Sequence, residues 1–161
     1  MKIINYFLQY LLIKLFFLIC KIIGYKKASN LGKLVGEKVG PYLKSKKVIK
    51  NNINRILPSA TKEDVNLIVK KMWGNYGRIL SEYVFIKDFK EGNLEKYVNV
   101  IGSEYLNDIR KKNIPVVFVS GHFNNFELMA MVIQKEGINL GAIYRPLNNF
   151  FLNKTMEKIR I

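Results

Sequence analysis

The apolar positions of this chain follow two different rhythms. From Ile3 to Ile23 they run almost without a break, IINYFLQYLLIKLFFLICKII, with only Asn5, Gln9, Lys14 and Lys21 intervening. About 20 helical residues at roughly 1.5 Å each reach across a bilayer core. The pattern therefore predicts a membrane anchor that spans, a helix lying in the interface with its apolar side down, or the buried helix of a soluble fold. Lys14, near the middle, is costly in a spanning helix unless it snorkels or faces protein. A cleaved leader fits less well, because Gly24-Tyr25-Lys26-Lys27 lacks a small-x-small cleavage site. The lysines that follow predict that the rest of the chain lies on the cytoplasmic side.

Beyond this segment the spacing turns helical. Ala28 to Tyr42, with its glycines and Pro41, reads as a connection between short helices. Ser45 to Ile56 reads as a basic helix with Val48, Ile49, Ile53 and Ile56 inward, ended by Pro58. Thr61 to Ile86 gives the clearest helical pattern. Thr61-x-x-Asp64 is a capping-box start, and Val65, Ile68, Met72, Tyr76, Ile79 and Tyr83 follow in steps of three and four. That stripe reads as core. Trp73 suits either core or a membrane interface.

After the polar connection Phe89 to Lys96 a third pattern begins. Tyr97 to Ile101, Pro115 to Val119 and Asn139 to Tyr144 read as short strands. They alternate with helices at Ser103 to Lys112 (Ser103 as cap), Asn125 to Gln134 (Asn124 or Asn125 as cap) and Phe150 to Arg160. The prediction is an α/β fold: a membrane-associated helix (1–24), then one domain (25–161) in which a helical segment precedes a partial parallel or mixed sheet with flanking helices.

Composition adds charge to this frame. The 161 residues carry 27 Lys and Arg against 12 Asp and Glu, a net charge of +15. Within residues 1–60 twelve basic residues face one acid, Glu37. Such a surface attracts polyanions: lipid headgroups, an acidic carrier protein or nucleic acid. No recognised nucleic-acid motif accompanies the charge, so nucleic acid is not expected as a partner. A lone cysteine, Cys20, excludes an internal disulfide, and without a cysteine–histidine cluster no metal site is predicted.

The candidate chemistry sits at Pro115 to Glu127, PVVFVSGHFNNFE, which holds the only histidine, His122, five residues before Glu127. On one continuous helix such residues would point about 140° apart. A turn between them allows a carboxylate to grip one imidazole nitrogen while the other takes a proton from a hydroxyl. The alternative is a junction histidine bonded to a carbonyl, with Glu127 a solvated surface acid.

GHFNNFEL, preceded by a predicted strand, resembles the His-x-x-x-x-Asp/Glu box of the bacterial lipid A biosynthesis acyltransferases, the late lauroyl/myristoyl transferases. NNINRILP resembles their early Asn-Leu…Phe-Pro segment, MWGNYGRILSEY their Asn-x-Gly-Arg…Glu helix, and IYRPLNNFFLNKTMEKIR their Tyr-Arg-Pro segment. The four occur in the family's order, and the chain looks like the N-terminal half of such a domain. In two places it departs from the family: Asn124-Asn125 replaces a Gly-Asn, and Asn149 stands where a proline is common. The resemblance implies transfer of a fatty acyl group from acyl carrier protein to a hydroxyl of a lipid A precursor at the cytoplasmic face of the bacterial inner membrane. It makes His122 the general base, Glu127 its partner and Arg160 a third catalytic residue. Arg145, Tyr144 and Asn125 would bind substrate. No cofactor is implied beyond the carrier thioester; the expected partners are acyl carrier protein, anionic lipid and the lipid A precursor. Two further readings remain: an enzyme acylating another glycolipid or a lysophospholipid, and an inactive truncated protein that only binds membranes.

Overall fold

The computed structural model describes residues 2–160. It is helical: α1 (Lys2–Ile23), α2 (Tyr25–Val39), α3 (Lys46–Ile56), α4 (Lys62–Glu82), α5 (Ile86–Lys90), α6 (Ser103–Lys112), α7 (Glu127–Lys135) and α8 (Phe150–Arg160). Two compact units form, one from Met1–Lys14 with Val84–Ile161, the other from Leu15–Tyr83. Helix α1 contributes its first part to one and its last part to the other.

The predicted α/β sheet is not there. Among the described residues there is no strand. Tyr97 ends a 3-10 turn at Glu95–Tyr97, and residues 98–101, 115–119 and 139–144 are irregular, without ladder partners. A helix closes its backbone hydrogen bonds within its own segment, so α6, α7 and α8 form where the spacing places them. A strand's bonds come from a neighbour, which the valine-rich run cannot supply for itself. Side chains of these segments meet solvent instead: Val117 is 90% and Val119 91% exposed in the valine-rich run, and Ile143 106% in residues 139–144.

The second unit is built around α2 and α4. Helix α4 starts as predicted. Thr61 Oγ1 accepts from the Asp64 backbone N–H at 3.1 Å, and Asp64 Oδ2 accepts from the Thr61 N–H at 3.1 Å, a reciprocal capping box. Val65, Trp73, Ser81 and Tyr83 are buried, whereas Tyr76 of the predicted stripe is exposed. Residues 28–42 correct the sequence reading. They are not a connection of short helices: α2 is one helix of 15 residues, followed by a 3-10 turn at Gly40–Tyr42. Gly32, Gly36 and Gly40 lie one helical turn apart on its inner face. A Cβ on Gly32 would land on the Gly77 carbonyl, and one on Gly36 on the Trp73 carbonyl. The glycines let the two backbones touch. Across the contact, Ser29 Oγ donates to Glu82 Oε1 at 2.8 Å, and Arg78 Nη1 donates to Ser29 Oγ at 2.8 Å and to Asn30 Oδ1 at 3.2 Å. Of the four α3 residues expected to face inward, Ile49 and Ile53 are partly covered, whereas Val48 and Ile56 are exposed.

The core of the first unit is Phe85, Ile86 and Phe89, Met131 and Ile133 of α7, and Leu152 and Met156 of α8, all buried, with α5 packed on both α7 and α8.

Candidate functional site

The candidate site is carried by the first unit. Its base is α7, an amphipathic helix whose Met131 and Ile133 fix it to the core. The chain enters this helix through tight turns. Phe123 N–H bonds the Gly121 carbonyl at 2.9 Å, Phe126 N–H the Asn124 carbonyl at 3.0 Å, and Leu128 N–H the Asn125 carbonyl at 3.1 Å. Asn124 takes the left-handed conformation, φ 48°, which asparagine tolerates better than most residues. Neither asparagine caps α7 by its side chain; Phe126 occupies the cap position. Likewise Gly102, left-handed, precedes α6 where Ser103 was the expected cap.

This entry sets His122 just ahead of α7. Its imidazole is exposed, with its edge against the Phe126 ring, centroids 4.5 Å apart at 66°. Glu127 opens α7, half-buried in its first turn, where a carboxylate faces the positive end of the helix dipole. Asn125 between them is buried. At the far end of α7, Lys135 Nζ donates to Glu95 Oε1 at 2.7 Å and holds that carboxyl below the usual range. Lys90, Gln134 and residues 137–141 border a concave surface near that end.

The second group of predicted residues gathers at α8. Tyr144 donates to Glu157 Oε1, which also accepts from Asn153 Nδ2 at 2.9 Å. Asn153 Oδ1 accepts the Leu147 N–H at 2.9 Å, so the segment carrying Tyr144 and Arg145 is strapped along α8. Arg145 is exposed. The Arg160 side chain lies outside the described residues.

Asn149 is a positioning residue that the sequence reading passed over as a departure from proline. Its Oδ1 caps α8, accepting from Phe151 N–H at 3.1 Å and Leu152 N–H at 3.3 Å. Its Nδ2 donates to the Tyr6 carbonyl at 2.9 Å and to Gln9 Oε1 at 3.3 Å. The rings of Phe7 and Tyr10 then meet Phe151 at 5.5 and 5.8 Å. An asparagine directly before an apolar helical run was the available signal; that its amide would reach α1 had none.

Among the described residues no group of three or more His, Cys, Asp or Glu could hold a metal ion. One helix, α1, is long and apolar enough to cross a membrane. The family model described as bacterial lipid A biosynthesis acyltransferase matches residues 1–161. No curated protein and no solved structure matches the chain.

Proposed function

The chain belongs to the bacterial lipid A biosynthesis acyltransferase family, and from that premise we propose that it moves a fatty acyl group from an acyl carrier protein thioester to a hydroxyl of a lipid A precursor at the cytoplasmic face of the inner membrane. The observation that carries the assignment of roles is the lone histidine, solvent-facing, one short turn ahead of a helix whose first residue is a carboxylate. His122 takes the acceptor's hydroxyl proton as the oxygen attacks the thioester carbonyl. Glu127 supports the imidazolium. The tetrahedral oxyanion draws on Arg145, Arg160 or the positive end of the α7 dipole. Its collapse expels the carrier thiolate, which recovers the proton from His122. Tyr144 and Asn125 help seat the substrates. The basic surface favours an acidic carrier and anionic lipid.

The test is transfer of labelled acyl groups by protein purified in detergent, with lipid A precursor or lysophospholipid as acceptor. His122→Ala is expected to lower turnover by about 10²–10⁴-fold, the usual contribution of general base catalysis, while lipid binding persists. Lipid binding without turnover in the native protein refutes the proposal, and turnover only on lysophospholipid moves the acceptor.

A further inference from the structure

Within the unit Leu15–Tyr83, helix α2 presents three faces. Its glycines lie against α4. On one flank Glu37 meets Lys33 at 3.6 Å and Lys70 at 3.9 Å. The other flank is apolar. Leu31, Leu34, Val35, Val39 and Tyr42 recur there at helical spacing, and Val39, Gly40 and Leu43 all keep helical backbone, so the stripe runs on through the 3-10 turn. Leu34, Val35, Val39 and Tyr42 are 38% to 85% exposed, and Leu43 beside them is 70% exposed. Lysines border this stripe. Lys27 and Lys38, about three turns apart, share its edge next to Leu34. Lys44, Lys46 and Lys47 follow Tyr42, with Lys46 Nζ 5.9 Å from the centre of the Tyr42 ring. From Lys21 to Lys62 the chain holds one acid, Glu37, engaged on the far flank.

We infer that this stripe and its lysines dock on the surface of an anionic bilayer, a membrane contact distinct from α1. Contiguous exposed apolar surface marks a place of interaction. The charge around it names the occupant. Lysine is depleted from the cores of protein–protein interfaces, and a second copy would set these lysines against their own equivalents. Anionic headgroups instead neutralise them. The whole unit Leu15–Tyr83 complements such a surface, with fourteen Lys and Arg against four Asp and Glu. An apolar stripe edged by lysines is the pattern of a helix that lies in the interface, its leucines and valines among the upper acyl carbons. Lys38 reaches from the stripe's edge to the phosphates along its own apolar stem. Tyr42 suits the headgroup level, where its ring is covered and its hydroxyl stays wet. The inference rests on the membrane reading above and needs neither the path of α1 nor catalytic activity.

The experiment places one new cysteine in the full chain, Val39→Cys or Tyr42→Cys on the stripe and Lys33→Cys on the opposite flank, and labels each with a polarity-sensitive fluorophore. The unaltered chain, whose Cys20 is buried, sets the background. Each variant is diluted from detergent onto vesicles of phosphatidylcholine with phosphatidylglycerol, with and without bromine on the acyl chains, and binding is read by flotation. The expected result is flotation with a blue shift of both stripe labels and loss of their emission to the brominated chains, while the Lys33→Cys label shows neither. Flotation with stripe labels that stay in water overturns the inference and leaves the membrane reading intact. Equal shifts on phosphatidylcholine alone overturn the anionic assignment. A blue shift that grows with protein concentration in the absence of vesicles makes the face a contact between copies and overturns the inference. Failure to float overturns both the inference and the membrane reading.

Discussion

Exchange of Gly77 for alanine tests how tightly α2 and α4 are joined. The new methyl would strike the Gly32 carbonyl, with the Gly36 Cα 2.9 Å away. Both obstacles are backbone, which cannot rotate aside, so the helices must separate. Overpacking of this kind costs about 3 kcal/mol at the upper end of its usual range. Alanine's better helix propensity returns about 1 kcal/mol. The net loss is about 2 kcal/mol, or roughly 4–8 °C in Tm for a chain of this size. Gly74 on the same helix is the control. There a methyl meets Glu37 Oε1 at 3.0 Å and Lys33 Cγ at 3.1 Å, ends and stems of flexible side chains. Gly74→Ala is therefore expected to be neutral or to raise Tm. Thermal unfolding followed by far-ultraviolet circular dichroism in detergent reads both. If Gly77→Ala melts with or above Gly74→Ala, the close approach of the two backbones is wrong.

Ser29→Ala removes both the donor to Glu82 and the acceptor for Arg78, and should cost about 1–3 kcal/mol in the same melting assay. Thr61→Ala removes the cap of α4 and should cost about 1 kcal/mol, with Thr61→Ser recovering most of it. Lys135 lowers the Glu95 carboxyl pKa mainly through their hydrogen bond. The small stability this gives is present above the ordinary carboxylate pKa and is lost as pH falls through the lowered value. Lys135→Met should therefore flatten the acid limb of a Tm-against-pH curve and leave Tm unchanged at pH below the lowered Glu95 value.

The contrast between legible and illegible elements follows the origin of their hydrogen bonds. The Thr61–Asp64 capping box, and α3, α6, α7 and α8 to within two residues, could be read locally because a helix answers its own donors and acceptors. The valine run before His122 has the composition of a strand, but composition does not bring a neighbour. The glycines of α2 and its C-cap read locally as helix breakers. Their spacing of four, Gly32, Gly36 and Gly40, was the available sign of a helix-packing face. At the site, His122 and Glu127 were singled out by chemistry and order. The amide of Asn149, by contrast, joins residues too far apart in sequence for any local pattern to announce.

That amide also dictates a timetable. Tyr6 and Asn149 lie 143 positions apart. At about 5–20 residues per second of synthesis, α1 leaves the ribosome many seconds before α8 exists to receive it. Throughout that interval Phe7 and Tyr10 lack the Phe151 ring that they meet in the finished fold, so closure of the first unit waits for the end of synthesis.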